Sequence, residues 1–400
     1  MEKKIFMPTY GAGHVNIIIP VAKELKRQGI DVVILGLTIA VPVLERQNIK
    51  YKKLQDYLFL YSIEQRKKIE EIGEKLALIN HNDQLEISFE DTKYYYGIGM
   101  YCLIEEYGEK KAYELYNEGN RKVFCPVSFM EKVLRYENPK AVTSSCTQRY
   151  EKASMLAAKK INIMTYYFCD YLEGDEKDEE YFDNVFCLND WNKKYLISKG
   201  FDEKKLEVVG QPTFDSLFNL EVNKEEIQNK FNIDFDKTII TWICTESKDM
   251  ESIYDEIKKS AEELSDCIII IKVHPSSKTS YFNDNVRNNI VAVRDYPIQP
   301  LLKISDIIIG TISTSVHEAI ILNKPIIIPD YIGSNYESEV GYCRSKAVML
   351  TKEKNFLTKD ICKLLYDENI RLKYEKSRDK YMIPKNAANT AANIIIENME

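Results

Sequence analysis

The chain of 400 residues contains four histidines, and three of them follow or border runs of β-branched residues that read as strands. In an open parallel sheet, strand ends and the helix starts after them are where ligands bind. His14 closes the run Gly11-Ala12-Gly13-His14. The small residues Gly11 and Gly13 let the backbone approach a nucleotide, the helix start offers unpaired N–H groups, and the imidazole could take a proton from an acceptor hydroxyl. His274 stands in Lys272-Val273-His274-Pro275, after the isoleucines Ile268 to Ile271. With its backbone course set by Pro275, it could donate to a phosphate or contact a base. The third histidine belongs to Gly310-Thr311-Ile312-Ser313-Thr314-Ser315-Val316-His317-Glu318. The hydroxyls of Thr311, Ser313, Thr314 and Ser315, with the helix-start amides, suit a diphosphate, and Glu318 could accept hydrogen bonds from ribose hydroxyls. His317 itself has no assigned role.

Two more loops join this set. Thr245, Glu246 and Ser247 follow a strand of the second half, where another loop should face the phosphates. Asp170 follows the strand-like run ending at Phe168 and could orient or assist His14. Each position also has a plainer explanation. Gly11 to His14 could be only a tight turn, His274 a strand-end side chain satisfied by local backbone, and Asp170 a surface acid. Ser315 and Glu318 fit a capping box, and Thr245 to Ser247 fit an ordinary N-cap. A dinucleotide fingerprint is rejected: Asn16 occupies the third glycine position, and Asp31 sits at the start of the second strand, where it cannot reach a ribose.

These loops need strands and helices to hold them. Residues 3 to 10 read as a buried strand, Ile17, Val21, Ala22 and Leu25 recur at helical spacing until Gly29, and residues 30 to 37 form a second strand. This βαβ unit predicts a parallel sheet. Residues from about 56 to 125 read as a helical elaboration of the first domain, and their tyrosines are either helix packing or a sugar-stacking surface. Strand-like runs return at 140 to 143 and 161 to 168. The second half alternates helices with strands at about 238 to 244, 267 to 273, 290 to 294, 306 to 310, 325 to 329 and 347 to 350, several as continuous apolar runs suited to burial on both faces. Gly210 and Pro212 within residues 208 to 217 mark a hinge. The expected organisation is an amino-terminal acceptor-side domain over 1–212, a nucleotide-binding domain over 213–382, and a last helix within 383–400 that packs back on the first domain.

A length of 400 residues suits two domains, and 44% hydrophobic with 29% charged residues is the balance of a folded globular chain. The nine cysteines form no C-x-x-C pair or Cys/His cluster, which argues against structural zinc or a disulfide framework and fits a reducing cytosol. A net charge of -7 argues against wrapping nucleic acid but leaves room for a small anionic ligand. No apolar stretch has the length of a membrane span, and the acidic run Glu173 to Glu180 reads as a solvated loop.

Several motifs carry a family resemblance. Gly11 to His14 resembles the loop that opens the acceptor domain of MurG-like and UDP-dependent GT-B glycosyltransferases, and VVGQP at 208–212 resembles their interdomain segment. IKVHP at 271–275 and GTISTSVHEAIILNKPIIIP at 310–329 resemble the donor-binding part of UDP-N-acetylglucosamine 2-epimerases, CDP-glycerol glycerophosphotransferases and capsule-type transferases. The resemblance implies an α/β fold of two Rossmann-like domains facing across a cleft. It implies a nucleotide held by the second domain through His274, Thr311 to Ser315 and Glu318, an acceptor near His14, and no metal or cofactor. Ser313-Thr314-Ser315 replaces the Ser-Gly-Gly of the epimerases, and their Glu-Ala-Gly after the strand ending near Phe168 is missing. The expectation is therefore an inverting transferase moving a sugar or polyol phosphate from a nucleotide-activated donor, UDP ahead of CDP or CMP, to a glycan or lipid-linked acceptor. It would work in the cytoplasm, with peripheral contact at the inner face of the membrane if the acceptor is lipid-linked. A 2-epimerase or hydrolase, and a binding protein without chemistry, are the alternatives.

Overall fold

A computed structural model describes residues 3–170, 179–245, 250–274, 289–311, 313–331 and 336–399. The chain forms two compact units, Met1–Thr213 with Pro384–Glu400, and Phe214–Ile383.

The amino-terminal unit is built on a parallel sheet of β1 (Lys4–Thr9), β2 (Asp31–Gly36), β3 (Ala141–Ser144), β4 (Met164–Phe168), β5 (Asn184–Cys187) and β6 (Leu206–Val208), in the order β2-β1-β3-β4-β5-β6. The strand order reverses between β1 and β3. Lys140 N donates to Lys4 O on the β3 side while Leu37 N donates to Thr9 O on the β2 side, so the alternation points the nitrogen of Pro8 toward β3. The β1–β3 pairing has ended by then, at Phe6 with Val142, so the missing N–H costs no ladder bond. The helix Ala12–Arg27 follows β1 and buries Val15, Ile18, Val21, Ala22 and Leu25. Against it lies the last helix, Ala387–Glu397, where Asn389 Nδ2 donates to Glu24 Oε1 at 2.8 Å and Ala391, Ala392 and Ile395 join the same core.

Between β2 and β3 come the helices Ile63–Asn80, Phe89–Tyr107 and Glu109–Gly119. The first two touch backbone to backbone, since a Cβ on Gly97 would lie 2.4 Å from Ile69 O and one on Gly73 2.4 Å from Lys93 O. Tyr94, Tyr95, Tyr96 and Tyr101 are buried while Tyr107 is exposed, so most of this tyrosine face is packing. β5 and β6 are absent from the expected strands.

The second unit repeats the architecture with β7 (Thr238–Ile243), β8 (Cys267–Lys272), β9 (Ile290–Val293), β10 (Ile307–Ile309), β11 (Ile326–Pro329) and β12 (Met349–Thr351). Their order is β12-β11-β10-β7-β8-β9, every pairing parallel, with the reversal between β7 and β10. Every residue of β8 and β10 is buried, as their unbroken isoleucines require. Most of the acidic run at 173–180 lies outside the described residues. Among the described residues no helix is long and apolar enough to cross a membrane.

Candidate functional site

In the amino-terminal unit, the loop after β1 turns at Gly11, whose φ of 51° and ψ of 162° are open only to glycine. That turn sends the chain into helix Ala12–Arg27 with His14 in its first turn. A Cβ on Gly13 would meet nothing within 4 Å, so the backbone there faces open space. Asp170 comes up from the end of β4, its Oδ2 4.0 Å from His14 Nδ1. The separation is ionic reach and not a hydrogen bond, and Nδ1 is buried with no hydrogen-bond partner among the described residues. Burial raises the Asp170 carboxyl above the usual range, against the opposing pull of the imidazole.

A second carboxylate, overlooked in the sequence, lies beside this pair. Glu151, in helix Arg149–Lys160 after β3, is fully buried. It accepts from Tyr10 N at 2.8 Å, Ser144 Oγ at 2.6 Å and Ser145 N at 3.0 Å. It therefore ties the end of β1 to the end of β3 where the strand order reverses. Burial raises its pKa, and the charge of His14 is foremost among the influences that lower it. The signal available in the sequence was Ser144-Ser145 at a strand end followed by an acid in the next helix.

In the second unit, a pocket of about 680 Å³ opens at the ends of β7 and β8, beside the start of helix Thr314–Ile321 that follows β10. It gathers Thr245, His274, Ser313, Thr314 and Ser315 on one wall system, with Lys272 and Gln299 added. Thr245 Oγ1 and Thr311 Oγ1 share a hydrogen bond of 2.6 Å, joining the loops after β7 and β10 at that reversal. The Ser313 hydroxyl oxygen is buried without a partner among the described residues. His274 is exposed. Glu246 and Ser247 lie outside the described residues, as does Pro275.

Glu318 stands behind the pocket wall: Gln299, which lines it, donates through Nε2 to Glu318 Oε1 at 2.9 Å. Burial raises the Glu318 pKa. The capping-box alternative for Ser315 and Glu318 is not realised, because the helix starts at Thr314 with Ser313 as N-cap, and Ser315 already lies inside it. Lys272 was overlooked as a site residue. It is 8% exposed, its ammonium donates to Val273 O at 3.2 Å and to Arg294 O, and burial lowers its pKa. His317 packs edge-on against Tyr342 at 5.2 Å, and burial pushes its pKa down to about 4. Gly11 and Gly13, expected at a nucleotide, belong to the amino-terminal unit and are not among the residues of this pocket.

A teichoic acid glycerol-phosphate primase of Bacillus spizizenii is 27% identical over 139 residues, 34% of this chain and 36% of the relative, so the match spans about a third of the relative's length. Among solved structures, a UDP-GlcNAc 2-epimerase from Neisseria meningitidis bound to UDP-GlcNAc has a TM-score of 0.62 at 16% identity, covering 99% of both chains. A variant of the wall teichoic acid polymerase TagF with CDPG has a TM-score of 0.54 at 13% identity, over 100% of this chain and 88% of that one. At such identities the structural likeness carries the fold alone, the α/β class of two Rossmann-like units found in GT-B proteins. The profile described as CDP-glycerol:poly(glycerophosphate) glycerophosphotransferase matches residues 168–381, a span that includes Asp170, His274 and Glu318 but not His14. With more than half of its length matched, the chain belongs to the CDP-glycerol:poly(glycerophosphate) glycerophosphotransferase family.

Proposed function

We propose that the chain transfers a polyol phosphate from a nucleotide-activated donor to an acceptor hydroxyl in the synthesis of a cell-surface polymer. The observation that carries this reading is the pocket of the second unit, where Thr245, Lys272, His274, Ser313, Thr314 and Ser315 present cationic and hydroxyl groups to one space of about 680 Å³. Such a set suits the phosphates of a nucleotide. The family description names CDP-glycerol, so a CDP-linked donor stands ahead of the UDP-linked one that the motifs suggest.

In this reaction the acceptor oxygen gives its proton to His14 and attacks the phosphorus that carries the polyol. The anhydride bond to the nucleotide breaks, and the nucleoside monophosphate leaves with the electron pair. Asp170 stabilises the imidazolium that forms, and the hydroxyls and Lys272 hold the phosphate charge.

The experiment is product analysis with the full chain, supplying CDP-glycerol or UDP-N-acetylglucosamine with and without a hydroxyl-terminated glycerophosphate oligomer. Acceptor-dependent release of CMP and growth of the oligomer are expected. Rapid formation of a 2-epimer from UDP-N-acetylglucosamine without acceptor would replace the transfer reading with epimerisation.

A further inference from the structure

The amino-terminal unit contains six arginines, Arg27, Arg46, Arg66, Arg121, Arg135 and Arg149. Four have fixed partners: Arg27 binds Glu24, Arg46 binds Glu86, Arg135 binds Glu131, and Arg66 donates to the carbonyls of Phe59 and Tyr61. Arg121 and Arg149 form no ion pair among the described residues, and Arg149 Nε is buried without a hydrogen-bond acceptor there. What engages the Arg149 guanidinium is Tyr10, whose ring lies 4.6 Å below it and whose phenol burial keeps neutral. A partly buried guanidinium with no carboxylate partner can receive an anion through charge-assisted hydrogen bonds.

The surroundings fit that anion. Arg149 takes a φ of 50°, a left-handed conformation uncommon outside glycine, asparagine and aspartate, at the start of the helix that carries Glu151. Tyr10, over whose ring the guanidinium lies, follows β1 directly and donates its N–H to Glu151, which puts Arg149 at the same sheet end as His14. Arg121 lines a small pocket of about 40 Å³ with Asn80, Asn82, Leu85, Tyr95 and Tyr96, and Tyr95 meets edge-on, at 6.3 Å, the Tyr10 ring on which Arg149 lies. The acid of that pocket, Asp91, is already taken by Lys53 at 2.9 Å and Gln55 at 2.7 Å.

We propose that Arg149, supported by Arg121, is an anion receptor of the amino-terminal unit and takes a phosphate ester group of the acceptor. That the ligand is the acceptor rests on the transfer reading; that the site binds a phosphate ester does not. The guanidinium fork matches two phosphate oxygens, and the neutral phenol beneath it orients the fork without quenching its charge.

The test is calorimetric titration of the full chain, held in saturating CDP, with glycerol 3-phosphate and with glycerol. Glycerol 3-phosphate should bind and glycerol should not. Arg149→Asn, whose side chain tolerates the left-handed backbone, should weaken glycerol 3-phosphate by about tenfold or more, Arg149→Lys by less, and Arg121→Ala least. Arg149→Gly serves if the asparagine variant folds poorly. Equal binding of glycerol, or unchanged affinity in a folded Arg149 variant, overturns the proposal. Binding that depends on Arg149 in a chain that transfers nothing would keep the anion site and remove the transfer reading. Transfer with an unchanged acceptor KM in Arg149→Asn would keep transfer and overturn the assignment of the acceptor to this site.

Discussion

Replacing Glu151 by glutamine tests whether one buried carboxylate braces the ends of β1 and β3. The carboxylate receives two backbone N–H groups, from Tyr10 at 2.8 Å and Ser145 at 3.0 Å, and the Ser144 hydroxyl at 2.6 Å. Glutamine keeps the shape but presents NH2 on one side. With its oxygen kept toward Tyr10, the Ser144 hydroxyl can rotate to accept, whereas the Ser145 N–H meets another donor and is orphaned. One buried unsatisfied donor costs about 1 to 3 kcal/mol. Glu151→Ala orphans both N–H groups and should cost about 2 to 6 kcal/mol. For a unit of this size each kcal/mol is about 2 to 4 °C in Tm, so the glutamine variant should melt about 2 to 12 °C lower. The assay is scanning calorimetry, read on the transition that moves, because two compact units need not melt together. A glutamine variant that melts with the wild type would refute the bracing role.

His14→Ala should cut turnover about 10²- to 10⁴-fold with donor affinity nearly intact, and Asp170→Asn should lose less; single-turnover rates beside donor titration check both. His317 has its pKa depressed from 6.5 to about 4. The unfolded chain thus takes up a proton near pH 6.5 that the folded one refuses until about pH 4, and stability present above 6.5 falls by up to about 3 kcal/mol across that window. Urea unfolding at several pH values should show this slope in the wild type and its loss in His317→Leu. Gly97→Ala would drive a Cβ to 2.4 Å from the Ile69 carbonyl and should destabilise by about 1 to 3 kcal/mol in the same assay.

The isoleucine strands were legible because a strand covered on both faces must be apolar throughout, as β8 and β10 are. Once the strands are known, the strand-end rule locates Thr245, His274 and Ser313 to Ser315, which share one pocket. β5 and β6 were missed, and length alone is not the reason, since β10 and β12 are as short and were read. Glu151 was hidden because an acid in a helix reads as solvated, and only tertiary packing makes it the acceptor of two strand-end amides. The capping-box alternative at Ser315 and Glu318 fails because local pattern does not fix where a helix begins. Lys272 and Gln299 show their place only when β8 and the segment after β9 come together around the pocket.

The central claim is that the second unit binds the donor nucleotide, and calorimetric titration of CDP and UDP into the wild type, His274→Ala and Glu318→Ala tests it most directly. The account predicts saturable binding, CDP ahead of UDP, weakened by about 1 to 3 kcal/mol, or about 5- to 150-fold, in His274→Ala, whose side chain lines the pocket, and by less in Glu318→Ala, which acts only through Gln299. Binding of equal strength in the wild type and both variants would contradict it.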